Sequence, residues 1–424
     1  MTTFQAPVVA PPGTGQRLLA EWRENRRAAD LSVHLARYGP LPLGTDRAQL
    51  IATVERAGLR GRGGAGFPTA RKLRAVAAGR GRATVVVNAC EGEPVSDKDR
   101  TLLTLAPHLV LDGAMLAAHA VAAREVVFCL HDGDPLTGVV HAALAERRGD
   151  PAGVRLQPVP NRYVASEESA LVNLINTGDA RPTTKPPRPA ERGVGGRPTL
   201  VSNAETLAQL ALVARFGPDW FRTQGTAESP GTTLVTVSGA VGEPGVYEVA
   251  LGTPIGRVLA PAMPAPAAPA VLVGGAAGTW LPLPDAGGVP LAHRELAGAG
   301  AVLGVGALFV LPPDACGPAE TARIMRYLAA ESAAQCGPCV FGLPALAEDF
   351  ALLARGVHVD ARLRRRLDVV EGRGACHHPD GAVRLARSAL RTFAPDVHDH
   401  LAGRPCPHPG NIHIRLSTTE GWVR

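Results

Sequence analysis

The apolar pattern changes period twice along the 424 residues, and each change marks a different kind of structure. Over 16–38 and 46–59, apolar side chains recur every three to four positions, predicting two helices joined by Tyr38-Gly-Pro-Leu-Pro. From 60 to 216 the pattern alternates: strand 83–88, helix 106–123, strand 125–131, helix 136–147, strand 154–159, helix 167–176. That is the βαβ rhythm of an open sheet covered by helices. Its last segment, Gly193 to Leu207, is read as a loop entering a helix capped by Ser202 or Asn203, where unsatisfied N–H groups favour a phosphate.

After a linker at 225–231, short strands at 232–240, 246–249, 270–275 and 306–311 predict a small β-grasp-like unit with no catalytic pattern. The Pro and Ala run 261–269 reads as an exposed loop. From 318 onward the period is helical in four blocks, 318–332, 343–356, 360–371 and 380–393, which is the pattern of a bundle. The expected organisation is therefore N-terminal helices over 1–59, a Rossmann-like α/β domain over 60–224, a small β domain over 225–315 and a helical bundle over 316–424.

One stretch breaks the pattern without belonging to any element. Gly58-Leu-Arg-Gly61-Arg62-Gly63-Gly-Ala-Gly66-Phe67-Pro-Thr-Ala-Arg-Lys72 is followed by Asn88-Ala-Cys90-Glu91-Gly-Glu93-Pro94. Glycines at 61, 63, 64 and 66 leave room for consecutive N–H groups to close on a phosphate or flavin ring. Gly61-x-Gly63-x-x-Gly66 also satisfies the dinucleotide fingerprint, but a helix rather than a strand precedes it, so the ordinary Rossmann reading fails. The strand comes afterwards and delivers Glu91 and Glu93 beside the glycines, so the cradle is expected from two segments.

Composition sharpens this placement. Lysine and arginine total 44, yet only Lys72, Lys98 and Lys185 are lysine, leaving 41 arginines. An ammonium kept against such a bias points to a compact charge facing a phosphate or carboxylate in a tight space. Aromatic residues make up 4%, too few to provide stacking platforms, so nucleic-acid recognition is disfavoured. The net charge of +6 is spread along the chain rather than blocked.

The segment 1–15 lacks the pattern of a signal peptide, and the uncharged run 296–313 reads as a buried loop and strand rather than a membrane span. Seven cysteines in no even framework suggest reduced thiols and a cytoplasmic protein. Cys336-Gly-Pro-Cys339 lies between two bundle helices, with Cys376 at the start of another. Such thiols suit an iron–sulfur cluster, or zinc with His377 as a fourth ligand; a redox pair and plain buried thiols stay open. Glu167 and Glu168 stand at a helix start, where capping alone accounts for them. Lys185-Pro-Pro-Arg-Pro and Arg197-Pro form rigid turns whose cations can flank an anion.

Taken in order, these blocks resemble the NADH-binding, FMN-containing flavoprotein subunit of respiratory complex I, a family shared with NAD-linked hydrogenases and formate dehydrogenases. The shared blocks are the glycine loop at 58–69, Glu-Gly-Glu-Pro at 91–94, Lys-Asp-Arg at 98–100, Lys-Pro-Pro at 185–187, Gly-Arg-Pro-Thr at 196–199, Glu-Thr-Leu at 205–207, Pro-Gly-Val-Tyr-Glu at 244–248 and the Cys-x-Pro-Cys segment. The resemblance implies an FMN domain, an SLBB β-grasp domain and a cluster-carrying bundle. It implies FMN contacts at Gly61, Arg62, Gly63, Lys72, Asn88, Glu91, Glu167, Glu168 and Asn203, and nucleotide contacts at Phe67, Lys72, Glu91, Glu93, Glu168 and Lys185; Ser202, at the helix start that favours a phosphate, joins the cofactor-binding set. The resemblance makes Cys336, Cys339 and Cys376 the ligands of a 4Fe-4S cluster with one iron open or bound by another donor; a three-iron cluster or none are the alternatives.

The implied activity is hydride transfer from NAD(P)H to FMN, then single-electron transfer to a ferredoxin-like protein, sister subunits or a quinone-linked acceptor, with no side chain acting as acid or base. Departures from the family are Ala333 for the first cluster cysteine, Cys90 for an Asp, Ser166 for a Gly, and Ala75 and Arg188 for aromatics. They leave a non-catalytic or zinc-binding scaffold as the alternative.

Overall fold

The computed structural model describes residues 17–20, 28, 30–147, 149–404, 406, 414 and 416. Helix α1 (Leu31–Tyr38) starts where the Asp30 carboxylate accepts the Val33 N–H; most of the earlier part of the helix expected over 16–38 lies outside the described residues. Helix α2 (Arg47–Ala57) is capped by Asp46 and closed by Gly58 in the left-handed region at φ 71°. Helix α3 (Thr69–Ala77), absent from the sequence reading, follows the glycine loop.

Four strands then make a parallel sheet: β1 (Thr84–Asn88), β2 (Glu125–His131), β3 (Gly153–Val159) and β4 (Thr199–Asn203), in the order β3-β2-β1-β4. Alternation sorts the side chains. Val85, Val87, Val126, Phe128 and Leu200 join one buried cluster, while Val86, Val127, Cys129 and Val201 face another. Helix α5 (Pro107–Ala120) and helix α8 (Ala204–Arg222) pack in the first cluster with α2, and α7 (Glu168–Thr177) in the second. Helix α4 (Lys98–Leu105) is separated from α5 by a 98° bend at Ala106-Pro107, and α6 (Leu136–Glu146) links β2 to β3. No single described helix is long and apolar enough to cross a membrane.

The expected loop before the final helix is strand β4, which runs straight into α8; Asn203, rather than Ser202, caps it by accepting the Glu205 N–H. A five-residue strand hemmed by Arg197-Pro198 and a helix start carries too little periodicity to be read from sequence.

A second sheet of five strands has the order β6-β5-β9-β7-β8: β5 (Thr232–Gly239), β6 (Gly245–Ala250), β7 (Ala270–Val273), β8 (Thr279–Pro282) and β9 (Ala307–Val310). Only β5 and β9 pair in parallel. Two short helices, α9 (Ile255–Leu259) and α10 (His293–Gly298), interrupt it. Helices α11 (Gly317–Ala330), α12 (Leu343–Ala354), α13 (Asp360–Val370), α14 (His378–Thr392) and α15 (Ala394–Leu401) share one apolar core with Trp280, Ala270 and Phe309 of this sheet. Ser388 of α14 accepts the Trp280 N–H at 3.0 Å, and Phe393 meets the Trp280 ring edge-on at 5.3 Å. Arg162 donates to the Ala330 carbonyl at 2.7 Å, and the Tyr163 N–H donates to Glu331, fastening the bundle to the parallel sheet.

Candidate functional site

The strand order reverses between β1 and β4: the chain moves outward from β1 to β3, then returns to the other side of β1 with β4. In open α/β sheets such a switch point leaves a crevice at the carboxyl ends of the two strands, and ligands bind there. The residues ending these strands, Asn88 and Asn203, are register partners. Both belong to the set expected from sequence.

The glycine loop reaches this crevice although it precedes β1 in the chain. A Cβ on Gly63 would lie 3.2 Å from the Asn203 Cβ. The Arg62 N–H donates to the Thr206 hydroxyl at 2.8 Å in the first turn of α8, and Gly64 forms an antiparallel bridge with Gly304 from the second sheet. Gly66, at φ 60°, lies against the His293 ring, which a Cβ would meet at 2.4 Å. Burial, with help from Arg62 and Arg60, lowers His293 to about 4, so that ring is a neutral wall. Gly61 closes the loop by donating to the Phe67 carbonyl at 2.9 Å, leaving Phe67 exposed at its lip with Arg71 over the ring.

The acidic turn arrives from the other side. Glu91 accepts the Asp99 N–H at 2.7 Å, and Asp99 accepts from the Asn203 amide at 2.6 Å, so this turn is joined to the residue against which Gly63 rests. Glu93 accepts the Ala276 N–H at 2.8 Å and the Tyr163 hydroxyl at 3.2 Å. A Cβ on Gly275 would lie 2.4 Å from its carboxylate. Burial raises both glutamates to about 7; Asp99 adds to the effect on Glu91, and the hydrogen bonds oppose it on Glu93. The two segments named from sequence therefore converge, with Asn203 between them on one side and the Gly275 and Gly304 loops on the other.

All three lysines face carboxylates. Lys72 is 2.8 Å from Glu168 and donates to the Val201 carbonyl, while Lys185 is 2.8 Å from Glu167. Glu167 also caps α7 through the Ser169 and Ala170 N–H groups. Burial alone would raise this carboxyl; Lys185 and the Ser169 contacts outweigh it and hold Glu167 below its usual range. Lys98 is buried between Asp99 at 2.7 Å and Glu205 at 3.2 Å. Arg62 turns inward to the Thr232 carbonyl at 3.0 Å and lies 3.7 Å from Glu205; its Nε and Nη1 have no hydrogen-bond partner among the described residues. The Asn88 amide donates to the Ser166 carbonyl, and Ser202 is a half-buried strand residue paired with Val87.

The sequence reading gave no role to Asp99, Tyr163, Glu205 or His293, each of which braces this crevice. The Lys98-Asp-Arg and Glu205-Thr-Leu blocks carried the signal for two of them. Of the departures, Cys90 is buried in the sheet's second cluster. The Ser166 hydroxyl lies where a Cβ on Gly92 would come within 3.1 Å.

A second gathering of ligands adjoins the first. Cys336, Cys339 and Cys376 lie close enough for their thiols to act on one another: burial first, then Cys336 and Cys376, push Cys339 up to about 12. Glu167 and Lys185 act on Cys376, so the thiols border the ion pairs of the crevice. A tight turn sets the pair, with the Cys339 and Val340 N–H groups both donating to the Cys336 carbonyl. Ala333 is buried three residues before Cys336 and supplies no fourth thiol. His377 does not join them: its side chain is 97% exposed and turned to Asp380, which removes it as a fourth zinc ligand.

Comparison with known proteins follows the same division. Residues 54–212 match the Nuo51 FMN-binding domain, and residues 319–400 match the NADH-ubiquinone oxidoreductase-F iron–sulfur binding region. The F subunit of NADH-quinone oxidoreductase from Streptomyces coelicolor is 31% identical over 84% of each chain, and that of Mycobacterium tuberculosis is 32% identical over 84% of this chain and 86% of the relative. The NAD-reducing hydrogenase HoxS subunit alpha of Cupriavidus necator is 36% identical over 69% of this chain and half of its own length. A crystal structure of NAD+-reducing [NiFe]-hydrogenase superposes with a TM-score of 0.82 at 30% identity, covering 97% of this chain and 70% of the other. The matched regions are the ones that build the switch-point crevice and the thiol corner, and on that agreement the chain belongs to the family of the NADH-quinone oxidoreductase F subunit.

Proposed function

We propose that the protein oxidises NADH with FMN held at the β1/β4 switch point and passes electrons one at a time to a cluster held by Cys336, Cys339 and Cys376. The observation that carries this reading is the convergence of the glycine loop, the acidic turn and the start of α8 on the Asn88 and Asn203 ends of two adjacent parallel strands. Bound FMN supplies hydride acceptance with single-electron release, and a thiolate-held cluster supplies one-electron carriage.

The residues fit these groups. Cβ atoms at Gly63, Gly66 and Gly275 would occupy space that must stay open or collide with the walls. Three soft sulfur donors act on one another, which supports a shared cluster, with Ala333 leaving one ligand position to a donor other than cysteine. The chain's own work is to hold and orient. With the Gly61 and Arg62 N–H groups holding the loop, the open backbone at Gly61, Arg62 and Gly63 would let the flavin approach; Asn88, Glu91 and Asn203 would fix its polar edge; Lys72, Glu168, Glu167 and Lys185 would present charge to the nucleotide; and Phe67 and Glu93 would flank it. Ser202 borders the same edge.

The domain boundaries near 60, 225 and 316 divide this labour between an FMN domain, an SLBB β-grasp domain and a cluster-bearing bundle. Phe341, 76% exposed and two residues past Cys339, marks the face where a ferredoxin-like protein or sister subunit takes electrons. The relatives are subunits of larger oxidoreductases by name, which supports sister subunits as partners.

The test is anaerobic reconstitution with FMN, iron and sulfide, followed by NADH. Flavin bleaching, a reduced-cluster signal in electron paramagnetic resonance and reduction of an added one-electron acceptor are expected. Protein that stays flavin-free and carries zinc in place of iron and sulfide would favour the scaffold alternative.

A further inference from the structure

Outside the crevice and the thiol corner, a third set of metal-ligating side chains lies at the far end of the bundle. Cys316 immediately precedes α11 and is buried; His400 is in the last turn of α15 and is buried; Cys406 lies beyond that helix and is half-buried. One ligand atom from each falls within 4.8 Å of the other two. His400 Nε2 is 3.7 Å from the Cys316 sulfur and 2.9 Å from the Cys406 sulfur. Cys316 and Cys406 both lie outside the residues matched by the family's iron–sulfur region, which end at 400.

We propose that Cys316, His400 and Cys406 bind a structural zinc ion that ties the segment beyond α15 to the start of α11. Tetrahedral zinc with sulfur at about 2.3 Å and nitrogen at about 2.0 Å separates those two atoms by about 3.5 Å, so Cys316 already stands near ligand distance and Cys406 needs to open by only about 0.6 Å.

The Cys406 N–H donates to His400 Nε2 at 3.3 Å, so that nitrogen is the unprotonated one, and a metal would take the place of this N–H on its lone pair. Cys316 is at the positive end of a fourteen-residue helix, which works against the burial that pushes its thiol up to about 12. Beyond burial, Asp396, one turn before His400 on α15, acts on both thiols and pushes them up, so a cation bound between them would relieve that charge. Ile414 also meets α11: its N–H donates to Glu320 at 2.8 Å, its carbonyl accepts from Arg323 at 3.0 Å, and its side chain is buried. A metal at 316, 400 and 406 would therefore add a second tie between these C-terminal residues and α11.

The test uses the full chain with Cys336, Cys339 and Cys376 changed to Ser, so that the cluster site cannot bind metal. Titration with cobalt(II) should give tetrahedral d–d bands and thiolate charge-transfer absorption saturating at one equivalent, displaced by zinc. Adding Cys316→Ser and Cys406→Ser should abolish these bands. His400→Gln, which keeps a polar side chain there, should weaken cobalt binding at least about tenfold while the circular dichroism spectrum is unchanged. Absence of tetrahedral bands, their persistence in the Cys316→Ser, Cys406→Ser protein, or a Cys316–Cys406 disulfide in anaerobically purified wild type would overturn the proposal. The readout does not involve flavin or NADH, so its failure leaves the proposed activity standing.

Discussion

Lys72 holds two partners at once, the Glu168 carboxylate and the Val201 carbonyl, at the edge of the crevice. Its side chain is about a quarter exposed, so the pair adds little to folding, while loss of the ammonium leaves Glu168 uncompensated beside the incoming nucleotide. Lys72→Ala should weaken FMN or NADH binding about tenfold, near 1.4 kcal/mol, with a stability change under about 1 kcal/mol. Fluorescence titration and urea unfolding check the two halves separately. The rarity of lysine made all three ammonium groups stand out in the sequence; that each faces a carboxylate required the fold, since Glu167 and Glu168 read equally well as helix caps.

Glu93 makes a sharper residue-scale prediction. Burial raises its folded-state pKa to about 7, so the folded chain holds a proton that the unfolded chain releases near the ordinary carboxylate value. This stabilisation is complete at low pH and is lost as pH rises through about 7. Cofactor-free protein should therefore show a melting temperature that falls between pH 5 and pH 7.5 from this group. Glu93→Gln, which keeps an acceptor for the Ala276 N–H, should flatten that fall; an unchanged slope would show that Glu93 is not the group responsible. Ala333 supplies a third test. Restoring the missing thiol with Ala333→Cys gives four cysteines, the usual set for a four-iron cluster, and should raise iron retained after brief air exposure, read by iron and sulfide assay.

The glycine loop shows how an element can be legible in composition and illegible in placement. Its glycines are visible in the chain, and the failure of the strand–glycine–helix order correctly excluded an ordinary dinucleotide fingerprint. What brings the loop to the sheet is β4, a five-residue strand the periodicity did not reveal, because its partner contacts lie more than a hundred residues away in β1. Gly66 is the most constrained position of the loop, with φ at 60° and His293 against it. Gly66→Ala should cost about 1–3 kcal/mol of stability and lower FMN occupancy, whereas Gly133→Ala, also at positive φ but with open space around it, should cost stability alone. Equal FMN occupancy in the two variants would remove the loop from the site.

At the scale of the molecule, the second sheet is part of the site rather than an appendage. Gly64 bridges to Gly304, Glu93 meets Gly275 and Ala276, and Arg62 reaches the Thr232 carbonyl. From sequence this region held no catalytic pattern; apart from the His293 ring, what it brings to the crevice is backbone, which leaves no side-chain signature to read. The bundle is joined to the same crevice through Tyr163, whose hydroxyl bonds Glu93 and whose ring lies 5.5 Å from His378 and 6.0 Å from Tyr327. Helical periods revealed four bundle helices; α15 was missed because eight residues behind the Phe393-Ala-Pro395 turn give little more than two turns of pattern.

The central claim is that one flavin nucleotide is gripped jointly by the glycine loop and the acidic turn at the β1/β4 switch point. Hydrogen-exchange mass spectrometry of the apo chain titrated with FMN tests this most directly. Slowed exchange is predicted at 60–66, 88–99 and the 203–206 start of α8 together, with saturation at one FMN per chain. FMN binding that leaves these three segments unprotected, or protects only one of them, would contradict it.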